Sequence, residues 1–282
     1  MAEFDRRLTP ARADLAARSL EGQVGAKRFV DPQRMIVTAS SAPLRPAPDA
    51  ALALDTELLH GEPFDVYDEA DGWVWGQSVL DGYVGYLPAD TIGSGPASTH
   101  RIVTLTAQIY AEPTLKKPPM GQYGFAARVA VAEERGGYAR LAEGWVAQDH
   151  LRPLGERVAD WVSVAETFLG VPYVWGGRSA AGLDCSALVQ LALQAGGIDC
   201  PRDTDMQFAI GTTIPADAPL KRGDLIFWKG HVGIMLDAER MIHATAFTMQ
   251  VRVEPLEAAA RRIEAKEFGM VQRRARLDPV QD

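Results

Sequence analysis

Apolar residues follow one rhythm in the first half of this chain and another in the second, and the change falls near residue 156. Between Arg34 and Ile92 they come in short runs separated by turn residues: Met35 to Val37, Glu62 to Tyr67, Gly72 to Gln77 and Gly82 to Leu87. Such runs predict β-strands. The same texture returns between Arg101 and Leu151, and the two stretches end alike. Gly85-Tyr86-Leu87-Pro88-Ala89-Asp90-Thr91-Ile92 parallels Gly144-Trp145-Val146-Ala147-Gln148-Asp149-His150-Leu151. Upstream, each copy has an acidic, glycine-containing turn followed by an aromatic residue, Trp73 or Tyr138. A unit of roughly 50 to 60 residues is the size of a small β-barrel and too large for most solenoid repeats. Two barrels are therefore predicted, at residues 34–95 and 101–152. Residues 1–33 carry a weak helical spacing at Leu15, Ala16 and Leu20 and read as an arm packed across the other domains.

Past a linker with Pro153 and Gly155 the period lengthens. Val158, Trp161, Val162, Ala165, Phe168 and Leu169 recur at three and four residues, which predicts one helical face, stopped by Gly170 and Pro172. A loop rich in glycine and aromatics, Gly170 to Gly177, leads to Asp184-Cys185-Ser186. The apolar run Ala187 to Ala195 then predicts a buried helix closed by Gly196-Gly197. After a polar segment, Pro201 to Asp205, strands are predicted at Asp224 to Trp228, His231 to Leu236, Arg240 to His243 and Gln250 to Val253. A helix at Leu256 to Ile263 and a last strand near Met270 to Gln272 complete residues 156–282 as one α+β domain.

Composition narrows the class of function. The chain has 282 residues, of which 47% are hydrophobic and 23% charged, so it reads as globular. A net charge of −8 argues against nucleic acid or an anionic membrane as partner. The Arg and Lys residues clustered between Arg261 and Arg276 read as a solvated face. With two cysteines, Cys185 and Cys200, no disulfide framework is expected. Met1 to Gly22 is charged throughout and no run has the length of a membrane span, so the cytoplasm is the expected location.

Chemistry concentrates at Cys185. Its place in the first helical turn exposes it to unpaired N–H groups and the helix dipole, which favour a thiolate. A cysteine nucleophile also needs a base and a group that orients the base. His231 and His243 lie on consecutive strands and supply both. They share a face of the sheet if Leu236 stands opposite Arg240 across a three-residue Asp237-Ala238-Glu239 loop. A lone cysteine is more often a small buried hydrophobe; the two histidines reverse that for Cys185, while Cys200, beside Pro201, reads as structural. His60, His100 and His150 read as solvent-facing. The spacing of Cys185, Cys200, His231 and His243 does not suit zinc.

Taken in order, Tyr173-x-Trp175-Gly176-Gly177, Asp184-Cys185-Ser186, Gly223-Asp224-Leu225-Ile226-Phe227, Gly230-His231-Val232-Gly233-Ile234 and Ile242-His243-Ala244 resemble the motifs of the NlpC-type cell-wall cysteine peptidases, over Val158 to Met270. The front stretches resemble bacterial SH3-like domains. One departure is Ser186-Ala187, where the family more often has Ser-Gly. The resemblance implies a fold of two small SH3-like β-barrels followed by a papain-like α+β catalytic domain that needs no metal or cofactor. It implies Cys185 as nucleophile, His231 as base, His243 as orienting residue, and the Tyr173 hydroxyl beside the oxyanion. The implied substrate is a short murein peptide with a free N-terminal L-alanine, cut between D-glutamate and the diamino acid as in murein recycling. Asp184, with Ser186 and Tyr173, would hold the amine, and Trp175 would be a further substrate-binding residue; Glu62 and Tyr83 of the first barrel would cap the amine end. An amidase or acyltransferase on the same fold, and a wall-peptide binding protein, remain the alternatives.

Overall fold

The computed structural model describes residues 4–277; residues 1–3 of the predicted arm and 278–282 of the predicted α+β domain lie outside the described residues. The chain divides into two compact units, one ending at Leu154 and one beginning at Gly155.

In the first unit the alternating runs at 33–93 form a five-stranded antiparallel sheet. Its order is Val84–Pro88, Trp73–Ser78, Pro63–Ala70, Gln33–Val37 and Ile92–Gly93. A hairpin of Ser41–Leu44 with Thr56–Leu59 completes the layer, joined to the sheet where Arg45 bridges Tyr86. That hairpin escapes the strand pattern because Pro43, Pro46 and Pro48 give its surroundings the composition of a loop. Val37, Leu44, Leu58, Phe64, Val74 and Leu87 point inward and form one core. Residues 100–153 build a separate core from Ile102, Ala107, Ile109, Val129, Ala139, Val146 and Leu151. The two similar endings take the same local path. Val84–Pro88 runs through the 3-10 turn Ala89–Thr91 into Ile92–Gly93, and Trp145–Ala147 runs through Gln148–His150 into Leu151–Pro153.

Two expectations fail in this unit. The arm is helical only in the 3-10 turn Arg18–Leu20: Leu15–Ala17 is a strand paired in parallel with Arg28–Val30. All three of its residues are buried, which an extended segment between two layers allows and a helix at the surface does not. Leu15 packs on Trp75 and Val84 of the five-stranded sheet. His60, expected to face solvent, is half-buried. Its ring lies 4.7 Å from that of Tyr123, and its Nδ1 stands 3.2 Å from the Thr38 carbonyl. Its own carbonyl accepts from the Arg128 N–H at 2.8 Å. Gly61 follows with φ +73°, where a Cβ would collide with the Arg128 backbone.

The second unit is built on a six-stranded antiparallel sheet. Its order is Thr212–Thr213, Arg273–Arg276, Leu225–Trp228, His231–Met235, Arg240–Thr245 and Gln250–Pro255. Helix Leu256–Lys266 covers the face that carries Ile226, Trp228, Met235 and Met241, through Ala259 and Ile263. Val232, Ile234, Ile242 and Ala244 alternate to the opposite face and are as fully buried. The cysteine helix, Cys185–Ala195, packs on those two central strands. It starts and stops where predicted, whereas the helix before it is shorter, Trp161–Thr167.

The last strand falls at Arg273–Arg276, not at 270–272. Only Ala275 of its four residues is fully buried, so no apolar run announces it. Its arginines are not a solvated face. Arg273 donates to the carbonyls of Phe208, Ile210 and Gly211, and Arg276 holds both oxygens of the buried Asp224 at 2.7 Å.

Candidate active site

Three pieces of the second unit meet at Cys185: the loop before the cysteine helix, the segment after it, and the start of the His231 strand. Asp184 caps the helix, its side chain accepting from the Ala187 N–H at 2.9 Å. Because the helix is buried almost all round, that carboxylate is buried too and needs a countercharge. Arg202, 1% exposed, provides it with two bonds, to Oδ1 at 2.9 Å and to Oδ2 at 2.8 Å. Oδ2 also accepts from the Gly176 N–H at 3.0 Å and Oδ1 from the Ser186 hydroxyl at 3.1 Å, while Ser186 accepts from Arg202 at 2.8 Å.

This corrects the expected roles of Asp184 and Ser186. Five donors converge on one carboxylate that has about four lone-pair directions, so neither its charge nor its acceptors stay free for a substrate ammonium. Glu62 and Tyr83 are corrected as well. Each is 2% exposed; Glu62 accepts from the Leu59 N–H at 3.0 Å, and Tyr83 belongs to the core built by Val37, Phe64 and Leu87. Trp175, in contrast, is 68% exposed on the loop before the cysteine.

The sulfur is held from two sides. Its Sγ accepts from the backbone N–H of Val232, the residue after His231, and lies 3.8 Å from Thr204 Oγ1. These contacts, and not one from an imidazole, hold the thiol in this arrangement. A preformed thiolate was expected from the helix dipole, and the opposite is found. Burial, followed by the Asp184 charge, pushes the Cys185 thiol up to about 11. Tyr173 is half-buried nearby. Desolvation, then the neighbouring Cys185 and Asp184, raises its hydroxyl above the usual tyrosine range, which keeps it a hydrogen-bond donor.

The histidines follow the strand register. Ile234 pairs with Ile242 and Met235 with Met241, and the Leu236 N–H donates to Arg240 at 2.8 Å across the three-residue loop. Continuing that register puts His243 opposite Gly233, on the face that carries His231. Gly233 leaves the room that Met241 fills; a Cβ there would collide with its sulfur. His231 Nε2 and His243 Nδ1 stand 2.8 Å apart. His231 is 3% exposed, stacked on Phe268 with centroids 5.4 Å apart, and His243 is fully buried. Burial first, then His243 and Arg262, lowers the His231 pKa well below its ordinary value. Thiol and His231 imidazole are therefore each neutral at rest.

Sequence reasoning misses Arg202, Thr204 and Glu254. The first had a signal: an aspartate opening a buried helix demands a cation, and Arg202 is the arginine of the polar segment that follows. Glu254 had only its strand position, on the face of His243 and beyond the residue, Arg252, that pairs with it. Among the described residues no group of three or more His, Cys, Asp or Glu side chains is placed to hold a metal ion.

A buried thiol at a helix tip, beside two adjacent strands whose imidazoles are bonded to each other, defines a cysteine–histidine site on an α+β scaffold. The chain carries an NlpC/P60 domain, matched at residues 170–265, and a bacterial dipeptidyl-peptidase Sh3 domain, matched at residues 44–92. It is 25% identical over 236 residues to a γ-D-glutamyl-L-lysine dipeptidyl-peptidase of Bacillus cereus, covering 72% of this chain and 71% of that protein. A protein of the same name from Bacillus subtilis is 33% identical over 129 residues, 40% of this chain and 43% of that one. The crystal structure of an NlpC/P60 family protein from Bacillus cereus aligns with a TM-score of 0.73 at 21% identity. It covers 86% of this chain and 99% of the other, a likeness of fold.

Proposed function

We propose that this protein is a cysteine peptidase that hydrolyses the γ-D-glutamyl to diamino-acid bond of short murein peptides with a free N-terminal L-alanine. The observation that carries the reading is the hydrogen bond from His231, on the strand whose backbone holds the Cys185 sulfur, to His243 on the next strand. The names of the relatives support the substrate: a dipeptidyl-peptidase releases two residues from an amino end, and theirs is a γ-D-glutamyl bond. The group that meets the amine is not Asp184, whose charge Arg202 takes. Residues 101–152 we read as a second SH3-like barrel, supported by a core of their own and by the strand, 3-10 turn and strand that close both stretches.

Since Nε2 of His231 is engaged with His243, Nδ1 is the nitrogen left for the thiol. It accepts the Cys185 proton as Sγ attacks the D-glutamyl γ-carbonyl carbon. The backbone N–H of Cys185 and the Tyr173 hydroxyl stabilise the oxyanion. Collapse breaks the C–N bond, and His231 returns the proton to the leaving amine. A water that gives its proton to His231 then attacks the thioester carbon, the C–S bond breaks, and the free γ-carboxylate and thiol are restored. Because the resting pair is neutral, proton transfer accompanies attack.

Incubation with L-alanyl-γ-D-glutamyl-lysine and L-alanyl-γ-D-glutamyl-diaminopimelate, each free and N-acetylated, tests this by mass spectrometry. The expected product is L-alanyl-D-glutamate from the free peptides, with turnover lost in Cys185→Ala. Equal cleavage of the acetylated peptides removes the amine requirement, and persistent cleavage by Cys185→Ala removes the nucleophile.

A further inference from the structure

The imidazole pair does not end at His243. Its Nε2 is buried without a hydrogen bond to any described residue, and the Glu254 carboxylate faces it, with Oε1 at 3.5 Å. Glu254 is 8% exposed and firmly held. Arg262 donates to both of its oxygens at 3.1 Å, and Arg252 Nε lies 3.1 Å from Oε1. Arg262 is itself fixed by Glu267 and lies over the Phe247 ring, 4.2 Å from its centroid. Contact with His243, and after it Arg262, holds the Glu254 carboxyl down at about 2, so it is an ionised, acceptor-only group at neutral pH.

An acceptor-only group at one end of a chain of imidazoles sets the direction of the hydrogens along it. Facing a carboxylate, His243 Nε2 must carry the hydrogen, which leaves Nδ1 with a lone pair. That lone pair can meet His231 Nε2 at 2.8 Å only if the latter carries a hydrogen. His231 Nδ1 is then bare, and a bare nitrogen is what a general base needs. A neutral amide in place of the carboxylate can donate as well as accept, and it removes the constraint.

We propose that Glu254 is a positioning residue that fixes the tautomers of His243 and, through it, of His231, so that the nitrogen left for Cys185 is unprotonated. The inference rests on the peptidase reading for its consequence in catalysis, but the tautomers are a property of the protein without substrate.

The test is ¹⁵N-imidazole NMR of the full chain labelled at its five histidines, with the two rings assigned from His231→Asn and His243→Asn. In the unaltered protein near pH 7.5, both rings are expected to carry hydrogen on Nε2 and a bare Nδ1. In Glu254→Gln both rings shift toward mixed tautomers, and kcat falls about 10²-fold with KM within about twofold, the size of a mis-set general base. Glu254→Asp, which keeps an acceptor-only group, restores the Nε2–H tautomers. His243 protonated on Nδ1 in the unaltered protein overturns the proposal, whatever the variants do. So does a Glu254→Gln protein with unchanged tautomers, even one of reduced activity. Failure of the peptidase reading appears elsewhere, as peptide turnover that survives Cys185→Ala.

Discussion

Two buried polar groups flank Cys185 and they are built on opposite principles. On the helix side, Asp184, Ser186 and Arg202 form a closed set in which five donors crowd one carboxylate. On the strand side, His231, His243 and Glu254 form an open line, with a carboxylate at one end and His231 Nδ1 unengaged at the other. A saturated network has one arrangement and so fixes the helix tip that carries the sulfur. A line of imidazoles with an unengaged nitrogen at its end can take up and return a proton there. Rigidity is supplied by the side that does no chemistry.

The largest expected effect comes from breaking the closed set. Arg202→Met leaves the Asp184 carboxylate buried without its countercharge and should destabilise the second unit by about 3–5 kcal/mol, read from its urea transition. Adding Asp184→Asn to Arg202→Met removes the stranded charge and should recover part of the loss. A single variant as stable as the parent would mean that the pair does not anchor the helix. The open line should answer differently. His243→Gln is expected to lower kcat about 10²-fold with KM little changed, because it disturbs the base and not the cleft. A rise in KM with kcat intact would place His243 among substrate contacts.

The contrast also explains what could be read before the structure. The line of histidines was legible because strand register is a matter of counting: the three-residue loop with Leu236 opposite Arg240 puts His231 and His243 on one face, and it is the loop found. The cysteine helix was legible from its apolar run and the glycines after it. The closed set was not, because Asp184 seen alone looks like a free anion, and its partner, 18 residues on, lies in a segment without periodicity. Arg273–Arg276 was missed for a related reason: arginines that bond to carbonyls and buried carboxylates have the composition of a surface. Glu62 and Tyr83 were assigned from a short motif that says nothing of burial.

Acid should separate the two sides by a smaller effect. The His231 pKa is lowered from 6.5 and that of Glu254 from 4.5 to about 2. For a group with a depressed folded-state pKa, its contribution to stability is whole above the unfolded value and is lost as pH falls toward the folded one. Stability should therefore be level above about pH 6.5, decline below it as unfolded molecules protonate at His231, and decline further from 4.5 to about 2 as Glu254 loses its charge. Urea midpoints of the second unit, taken at intervals across that range, measure the curve. In Glu254→Gln the fall between 4.5 and 2 should be shallower while that beginning below 6.5 remains, since the two losses belong to separate groups on the same line. A curve for Glu254→Gln that parallels the parent throughout would show that the acid sensitivity lies outside the line, and would make the carboxylate no more than packing against His243.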